Sequence, residues 1–316
     1  MTGQAYIAAH KSRDSEANMT DPIMMAQMTS GAGFIAALDQ SGGSTPGALK
    51  AYGVPEDQFA GDDAKMFELI HEMRVRIITA PSFNGRKVLG AILFEKTMDG
   101  QADGLPVPTA LWKRGVVPFL KMDKGLEGEA NGVQLMKPMP GLDDLLARAV
   151  KLGVFGTKMR SVIKSANREG IAAVVKQQFE VAEQIIGHGL IPIIEPEVSI
   201  KAPDREAIED ILLDELTKAL DALTGDKQVM LKLSIPAKAD LYAPLVGHHR
   251  VVRVVALSGG FSCDEACERL SHNHGMIASF SRALLEDLRH GQSDQEFDAT
   301  LGKAIDQIYT ASVIKA

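Results

Sequence analysis

The stretch VMLKLSIP at residues 229–236 places a lysine, Lys232, in the middle of a short apolar run. The run lies between polar residues and Pro236 and is rich in aliphatic side chains, a pattern that predicts a buried β-strand. A lysine among aliphatic groups loses the hydration of its charge, so it is rare there unless it is paired or has a function. The stretch therefore predicts a core strand and a candidate functional residue.

Seven further apolar runs are predicted to be strands. They are GFIAALD (33–39), VLGAILFE (88–95), VVPFLKMD (116–123), VFGTKMR (154–160), LIPIIEPEV (190–198), VVRVVALS (251–258) and MIASFS (276–281), and the run around Lys232 extends over 228–235. Stretches with helical period, such as 172–189 and 204–223, lie between them. RVRIIT (74–79) is assigned to a helix that begins after Asp62 or Asp63, because the apolar residues before it repeat at helical spacing.

Eight strands alternating with helices predict an α/β protein with a single (β/α)8 TIM barrel. Residues 26–316 contain no Pro-, Gly- or Ser-rich boundary and are predicted to form one catalytic barrel domain, whereas residues 1–25 lack periodicity and are interpreted as an N-terminal leader. A doubly wound sheet would need a glycine fingerprint after an early strand, and GFIAALDQSGGS has its glycines at the wrong spacing.

Composition excludes several classes of function. The chain has 316 residues, a net charge of −7 and a pI near 5.7, which argues against a nucleic-acid partner. No apolar run approaches the roughly 18 residues of a membrane span, and the N-terminus does not resemble a signal peptide. We therefore expect a cytoplasmic protein with no membrane partner, and a homo-oligomer is compatible with the sequence. Cys263 and Cys267 are interpreted as structural thiols of a reducing compartment.

Charged residues recur toward the carboxyl ends of five predicted strands. Side chains two apart in a strand share a face, so Lys232 lies with Met230 and Ser234, while Leu231 and Leu233 face away. The carboxyl ends of barrel strands meet at one mouth, where barrel active sites lie, so we expect these charged residues to converge there. The set is Asp39, Lys121, Asp123, Lys158, Arg160, Glu195, Glu197 and Lys232.

This set of side chains is suited to Schiff-base chemistry. Burial and the like charges of Lys158 and Arg160 would favour the neutral amine of Lys232, which is the form that condenses with a carbonyl. Glu195 or Glu197 would transfer the protons that this condensation requires. The resulting iminium is an electron sink, so a neighbouring carbon–carbon bond can break or form.

Loops after three strands are suited to anions. Ser258-Gly259-Gly260 follows the seventh strand and Ser281-Arg282 the eighth, the places where barrels commonly bind phosphate. DQSGGS (39–44) follows the first strand, although on its own it is also typical of a simple turn before a helix. Two phosphate sites on opposite sides of Lys232 predict an elongated sugar bisphosphate as the substrate. Cleft cations, among them Lys124, would attract it despite the negative net charge.

Metal chemistry is not expected. Of the eight histidines, the pairs at 248–249 and 272–274 follow no apolar strand end that also carries a carboxylate. We therefore predict no metal site and no cofactor.

In these motifs the chain resembles the class I fructose-1,6-bisphosphate aldolases, in their shorter bacterial form. The resemblance spans about residues 25–312 and rests on GFIAALDQSGGSTP, GAILFE, VVPFLKMDKG, FGTKMRSVI, IPIIEPEV, VMLKLSIP, VVALSGG and ASFSRAL, in that order. It implies metal-free, reversible cleavage of fructose 1,6-bisphosphate to dihydroxyacetone phosphate and glyceraldehyde 3-phosphate in glycolysis and gluconeogenesis.

The resemblance also implies roles for individual residues. Lys232 would form the Schiff base, and Glu195 would act as general acid and base with Glu197 beside it. Lys158 and Asp39 would assist proton transfer and bind hydroxyls, and Arg160 would lie near the distal phosphate. The phosphate of the dihydroxyacetone end would bind Ser258, Gly259, Gly260, Ser281 and Arg282, and the other phosphate Ser41, Ser44 and Lys121.

Two departures from the animal members leave questions open. Those members end in a tyrosine that exchanges a proton with the enamine, whereas this chain ends SVIKA and its last tyrosine is Tyr309. Ser281 also stands where the animal pattern has glycine. Two alternative functions remain. One is another Schiff-base lyase, such as a transaldolase-like or related sugar-phosphate aldolase, and the other is a non-catalytic sugar-phosphate binder or a surface-adhesion role on an aldolase scaffold.

Overall fold

A computed structural model describes residues 21–40 and 45–316, and within them eight strands form one parallel barrel. The strands are β1 Phe34–Leu38, β2 Val88–Leu93, β3 Val117–Lys121, β4 Gly156–Ile163, β5 Ile191–Val198, β6 Val229–Ser234, β7 Val251–Leu257 and β8 Ile277–Ala278. They pair in chain order. The Ala37 amide donates to the Phe280 carbonyl at 3.0 Å, which brings the last strand back to the first. The predicted (β/α)8 barrel is confirmed.

Helices connect the strands and cover the outside of the barrel. They are α1 Pro22–Ser30, α2 Thr45–Tyr52, α3 Asp63–Thr79, α4 Glu95–Met98, α5 Val107–Lys113, α6 Leu142–Lys151, α7 Arg168–Gly187, α8 Arg205–Asp221, α9 Ala243–Val246, α10 Cys263–Ser271, α11 Arg282–Leu285 and α12 Asp294–Val313. The helix assignment of 74–79 is confirmed, since these residues end α3 and the Asp62 carboxylate caps it by accepting from the Lys65 amide at 2.9 Å. Strand β4 extends past its predicted end to Ile163, where it pairs with both β5 and the short antiparallel strand Val133–Gln134.

The barrel interior is filled by side chains that alternate along the strands. Ile35, Phe119, Ile193 and Met230 pack in the inner cluster, whereas Leu231 packs in the outer layer under the helices, as the alternation predicts. The Phe119 ring occupies the space beside Gly156, where an added Cβ would lie only 2.9 Å from that ring. A glycine is therefore required at 156.

Helix α1 closes the end of the barrel that lies opposite the carboxyl ends of the strands. Met24 and Met28 join the inner cluster, and the Gln27 amide donates to the Leu89 and Gly115 carbonyls at 2.8 and 2.7 Å. The interpretation of residues 1–25 as a leader falls mostly outside the described residues and stays a prediction. None of the helices in the described part of the chain has the length and apolar character needed to cross a membrane.

Candidate active site

Lys232 lies inside the barrel near the carboxyl end of β6. Its side chain is 5% exposed, and the Nζ atom lies 3.3 Å from Oε1 of Glu195 on the neighbouring strand β5. The second oxygen of Glu195, Oε2, lies 3.0 Å from Nζ of Lys158 but accepts no hydrogen bond in the described residues. The carboxylate of Glu195 thus lies between two lysines and has an oxygen available for a further proton donor.

Lys158 is held as an ammonium ion by two carboxylates. Its Nζ atom lies 2.6 Å from Asp39 Oδ2, in addition to its contact with Glu195, and all three side chains are buried. Burial alone would lower the pKa of Lys158, but attraction to Asp39, Glu195 and Asp123 raises it well above its usual value. Lys158 therefore stays protonated and is a poor nucleophile.

Asp39 is the anionic partner in this pair. Burial alone would raise the pKa of its carboxyl group, but Lys158, Lys232 and Lys121 together hold it well below the usual value. Asp39 is therefore ionised throughout the neutral range and can accept hydrogen bonds from substrate hydroxyl groups.

Three further predicted cations of the cleft also have carboxylate partners. Arg160 Nε pairs with Glu197 Oε2, and Lys121 Nζ donates to Asp123 Oδ1 at 2.8 Å and to the Asp123 carbonyl at 3.0 Å. Lys124 pairs with Glu95 at 2.6 Å. The sequence predicts that the positive charges of Lys158 and Arg160 favour the neutral amine of Lys232. Their carboxylate partners offset much of this repulsion.

The loops after β7 and β8 meet at one side of the mouth. Ser258 is buried, and Gly259 and Gly260 adopt φ angles of 61° and 118°, which favour glycine. A Cβ at Gly260 would lie 3.4 Å from Nη2 of Arg282, so the guanidinium lies over this glycine turn. No carboxylate of the described residues pairs with Arg282, unlike the other cleft cations. This exposed guanidinium and the adjacent loop can receive an anion.

The structure brings most of the predicted site residues together at the mouth, but two fall outside the described residues. Ser41 and Ser44 belong to 41–44, so their role at the second phosphate stays a prediction. Seven others lie on strands β3–β6 or directly after β1, namely Asp39, Lys121, Lys158, Arg160, Glu195, Glu197 and Lys232. Lys158 is only the third residue of β4, but in the register of the barrel it stands level with Lys121 at the carboxyl end of β3. Among the described residues, no group of three or more His, Cys, Asp or Glu side chains is placed to hold a metal ion.

Sequence reasoning missed three residues of the site. For Asp123 the sequence predicts the correct face but no role. Its Oδ1 atom accepts from Lys121, and its Oδ2 atom is buried without a hydrogen bond in the described residues. Ser279 precedes the predicted phosphate residues, and its buried hydroxyl likewise has no described partner. Gln40, next to Asp39, donates from Nε2 to the Ser281 hydroxyl at 2.6 Å. All three lie within two positions of a predicted site residue, and this proximity in sequence is the signal that could have identified them.

Tyr309 lies away from this mouth. It belongs to α12, and its ring centre lies 5.8 Å from Nζ of Lys87, which immediately precedes the amino end of β2. The ring is therefore at the opposite end of the barrel from Lys232 and cannot exchange protons there.

Comparison with known proteins gives one family and one fold. Residues 25–232 match the model of the family described as fructose-bisphosphate aldolase class-I. Among solved structures, the chain is similar to a fructose-bisphosphate aldolase from Plasmodium falciparum, with 19% identity and a TM-score of 0.73 over 94% of this chain and 98% of that chain. An archaeal fructose 1,6-bisphosphate aldolase aligns at 10% identity with a TM-score of 0.52, over 90% of this chain and 98% of that one.

Proposed function

The chain belongs to the class I fructose-bisphosphate aldolase family, and from that premise we propose that it reversibly cleaves fructose 1,6-bisphosphate through a Schiff base on Lys232. The observation that carries the proposal is the contrast between the cleft lysines. Lys158 contacts two carboxylates, and Lys121 donates two hydrogen bonds to Asp123. Lys232 has a single carboxylate neighbour, at 3.3 Å. Lys232 is therefore the amine best placed to act as nucleophile.

The first step forms the covalent intermediate. The Lys232 amine attacks the C2 carbonyl of the open-chain ketose, and the carbonyl oxygen becomes a hydroxyl of the carbinolamine. Glu195, in contact with Lys232, first takes the proton that the Lys232 ammonium gives up on becoming the amine, and then delivers this proton to the hydroxyl, which leaves as water and gives the iminium. The Lys158 ammonium stabilises the carboxylate that Glu195 becomes.

Carbon–carbon cleavage follows from the iminium. A carboxylate of the cleft removes the proton of the C4 hydroxyl, the C3–C4 bond breaks, and its electron pair moves to the iminium nitrogen, which gives the enamine. Glyceraldehyde 3-phosphate leaves. Because Tyr309 lies at the other end of the barrel, we assign the protonation of the enamine carbon to Glu195, and hydrolysis then releases dihydroxyacetone phosphate.

Two groups of residues suited to phosphate support the choice of a bisphosphate. Arg282, which pairs with no carboxylate of the described residues, and the glycine turn 258–260 would bind the phosphate next to the ketone. Lys121 with Ser41 and Ser44 would bind the other. Arg160 would assist at the distal end. The proposed reaction is a step of glycolysis and gluconeogenesis, and we propose that the protein acts there, in the cytoplasm.

Trapping tests the proposal directly. Borohydride reduction in the presence of dihydroxyacetone phosphate should label Lys232, as located by peptide mapping, and a label on Lys158 would contradict the assignment. Cleavage of fructose 1,6-bisphosphate should exceed that of fructose 1-phosphate and of transaldolase substrates. Activity should survive exhaustive chelation, because the iminium serves as the electron sink.

A further inference from the structure

Gln40 and Ser281 connect the first and last loops of the barrel mouth. Gln40 follows β1, Ser281 precedes α11, and the amide Nε2 of Gln40 donates to Oγ of Ser281 at 2.6 Å. The main-chain bond from Ala37 to Phe280, one residue before Ser281, lies in the same seam of the barrel. These contacts fix the hydroxyl of Ser281 relative to β1.

The main chain of Gln40 is held from the protein interior by Arg74. This residue of α3 is 2% exposed, and its guanidinium donates to the Gln40 carbonyl and, at 2.8 Å, to the Thr97 hydroxyl. Burial lowers the pKa of Arg74 to about 10 in spite of attraction to Asp39, so Arg74 is still a cation at neutral pH. Gln40 therefore extends its amide toward Ser281 from an anchored backbone.

We propose that Gln40 is a positioning residue that prepares the Ser281 hydroxyl to donate to a phosphate monoester. A hydroxyl carries one donor and two acceptor lone pairs. Because the Gln40 amide uses an acceptor position of Ser281 Oγ, the Ser281 proton remains available for an anion next to Arg282 and the 258–260 turn. The inference rests on the proposed function, since the anion is the phosphate of a ketose phosphate.

A carboxylate at position 40 would reverse the direction of the hydrogen bond between residue 40 and Ser281. It has no N–H to donate, so it would accept the Ser281 proton itself and would add a negative charge next to the bound phosphate. Gln40→Glu is nearly isosteric and tests the direction of the bond. Gln40→Met keeps the length of the side chain without either polar function and serves as the matched comparison.

The experiment uses the full chain and two readouts. We would measure steady-state cleavage of fructose 1,6-bisphosphate and the concentration of dihydroxyacetone phosphate that half-saturates borohydride trapping at Lys232. Gln40→Glu should raise KM and the half-saturation by about tenfold or more, the size of one lost charge-assisted hydrogen bond, with little change in kcat. Gln40→Met should raise both values less. The increase in KM and in half-saturating concentration caused by Gln40→Glu should become smaller as the pH falls toward the ordinary glutamate pKa. The increase caused by Gln40→Met should not change in this way.

Two comparisons separate this role from a structural one. Trapping by unphosphorylated dihydroxyacetone should be equally efficient in wild type and in Gln40→Glu, because no phosphate is involved. Ser281→Gly should add little further loss in the Gln40→Glu background, because both changes remove the same donor. The inference would be overturned if the effects of Gln40→Glu and Ser281→Gly on half-saturation were additive. It would also be overturned if Gln40→Glu weakened trapping by unphosphorylated dihydroxyacetone as much as trapping by the phosphate.

The outcomes also distinguish the two proposals. No adduct on Lys232 in the wild type would refute the proposed function. A normal adduct together with an unchanged half-saturation in Gln40→Glu would refute the role of Gln40 alone. If thermal melting shows that Gln40→Glu does not fold, Gln40→Met carries the test, and an unchanged half-saturation in that variant also refutes the role.

Discussion

The Lys158 ammonium lies 2.6 Å from the Asp39 carboxylate, although the two residues come from strands that are not neighbours in the barrel. The pair links β4 to the end of β1 inside the mouth, with both side chains almost fully buried. It keeps Lys158 a cation and Asp39 an anion at neutral pH. This contrast with Lys232 is the basis of the proposal that Lys232 is the reactive lysine.

Loss of Lys158 should destabilise the fold. Lys158→Met leaves the buried Asp39 without its closest counter-ion, and breaking one side of a buried ion pair costs about 3–5 kcal/mol. Urea denaturation at neutral pH measures the change in the free energy of unfolding. Lys227→Met, which removes an ion pair with Glu183 on the surface, is the control and should change stability little. Equal effects of the two substitutions would contradict the assignment.

The same variant should change how stability depends on pH. The folded-state pKa of Asp39 is lowered. Its contribution to the free energy of unfolding is therefore fully present above its unfolded-state pKa, about 4, and is lost as the pH falls through the folded-state pKa. The pKa of Lys158 is raised, so its contribution is present below its unfolded value, about 10.4, and is lost at higher pH. The stability gap between wild type and Lys158→Met should be constant near neutrality and should narrow in acid. A gap that widens in acid would refute the pairing.

Removal of the Glu195 carboxylate should slow catalysis more than it changes the fold. Glu195→Gln keeps the shape of the side chain but removes the proposed general acid and base next to Lys232, and such a group is typically worth about 10²- to 10⁴-fold in rate. Both kcat and the rate of borohydride trapping should fall. Glu183→Gln, on the surface, should leave both rates at wild-type values.

Arg282 should affect substrate binding more than turnover. Arg282→Lys keeps the positive charge but loses the planar guanidinium fork, which can bind two oxygens of the proposed phosphate at once, so KM should rise by about tenfold with a smaller change in kcat. Arg282→Met should raise KM further. Arg86, an exposed arginine that precedes β2 at the end of the barrel opposite the mouth, is the control, and Arg86→Lys should leave KM unchanged.

The strands and their inner faces could be predicted from the sequence because both depend on periods of two and on short apolar runs. The pairing of the charged side chains could not be predicted from the sequence. In the register of β4 and β5, Arg160 stands opposite Glu195, yet its guanidinium pairs with Glu197, and Glu195 pairs instead with Lys158 and Lys232. Such choices depend on side-chain reach inside a closed barrel, which strand periodicity does not encode.

Contacts between distant loops were also invisible in the sequence. Gln40 and Ser281 are 241 positions apart and become neighbours only when β8 returns to β1. The role of Ser234 was equally unpredictable, because alternation places it on the inner face with Lys232 but does not identify its partner on β5.

Ser234 joins the ends of β5 and β6, and its loss should destabilise the strand that carries Lys232. The Ser234 hydroxyl accepts from the Val198 amide at 3.0 Å and donates to the Val198 carbonyl at 2.7 Å, and all of these atoms are buried. Ser234→Ala leaves a buried N–H and C=O unsatisfied, at a cost of about 1–3 kcal/mol in the free energy of unfolding.

Ser161 provides a matched control for Ser234 because it is also buried but its hydroxyl has no described hydrogen-bond partner. Ser161→Ala should therefore be neutral or slightly stabilising in the same urea denaturation, since it removes an unsatisfied polar group. Because β6 positions Lys232, Ser234→Ala should also slow borohydride trapping, whereas Ser161→Ala should not. Similar stability losses in the two variants would show that the bridge to Val198 does not hold these strand ends together.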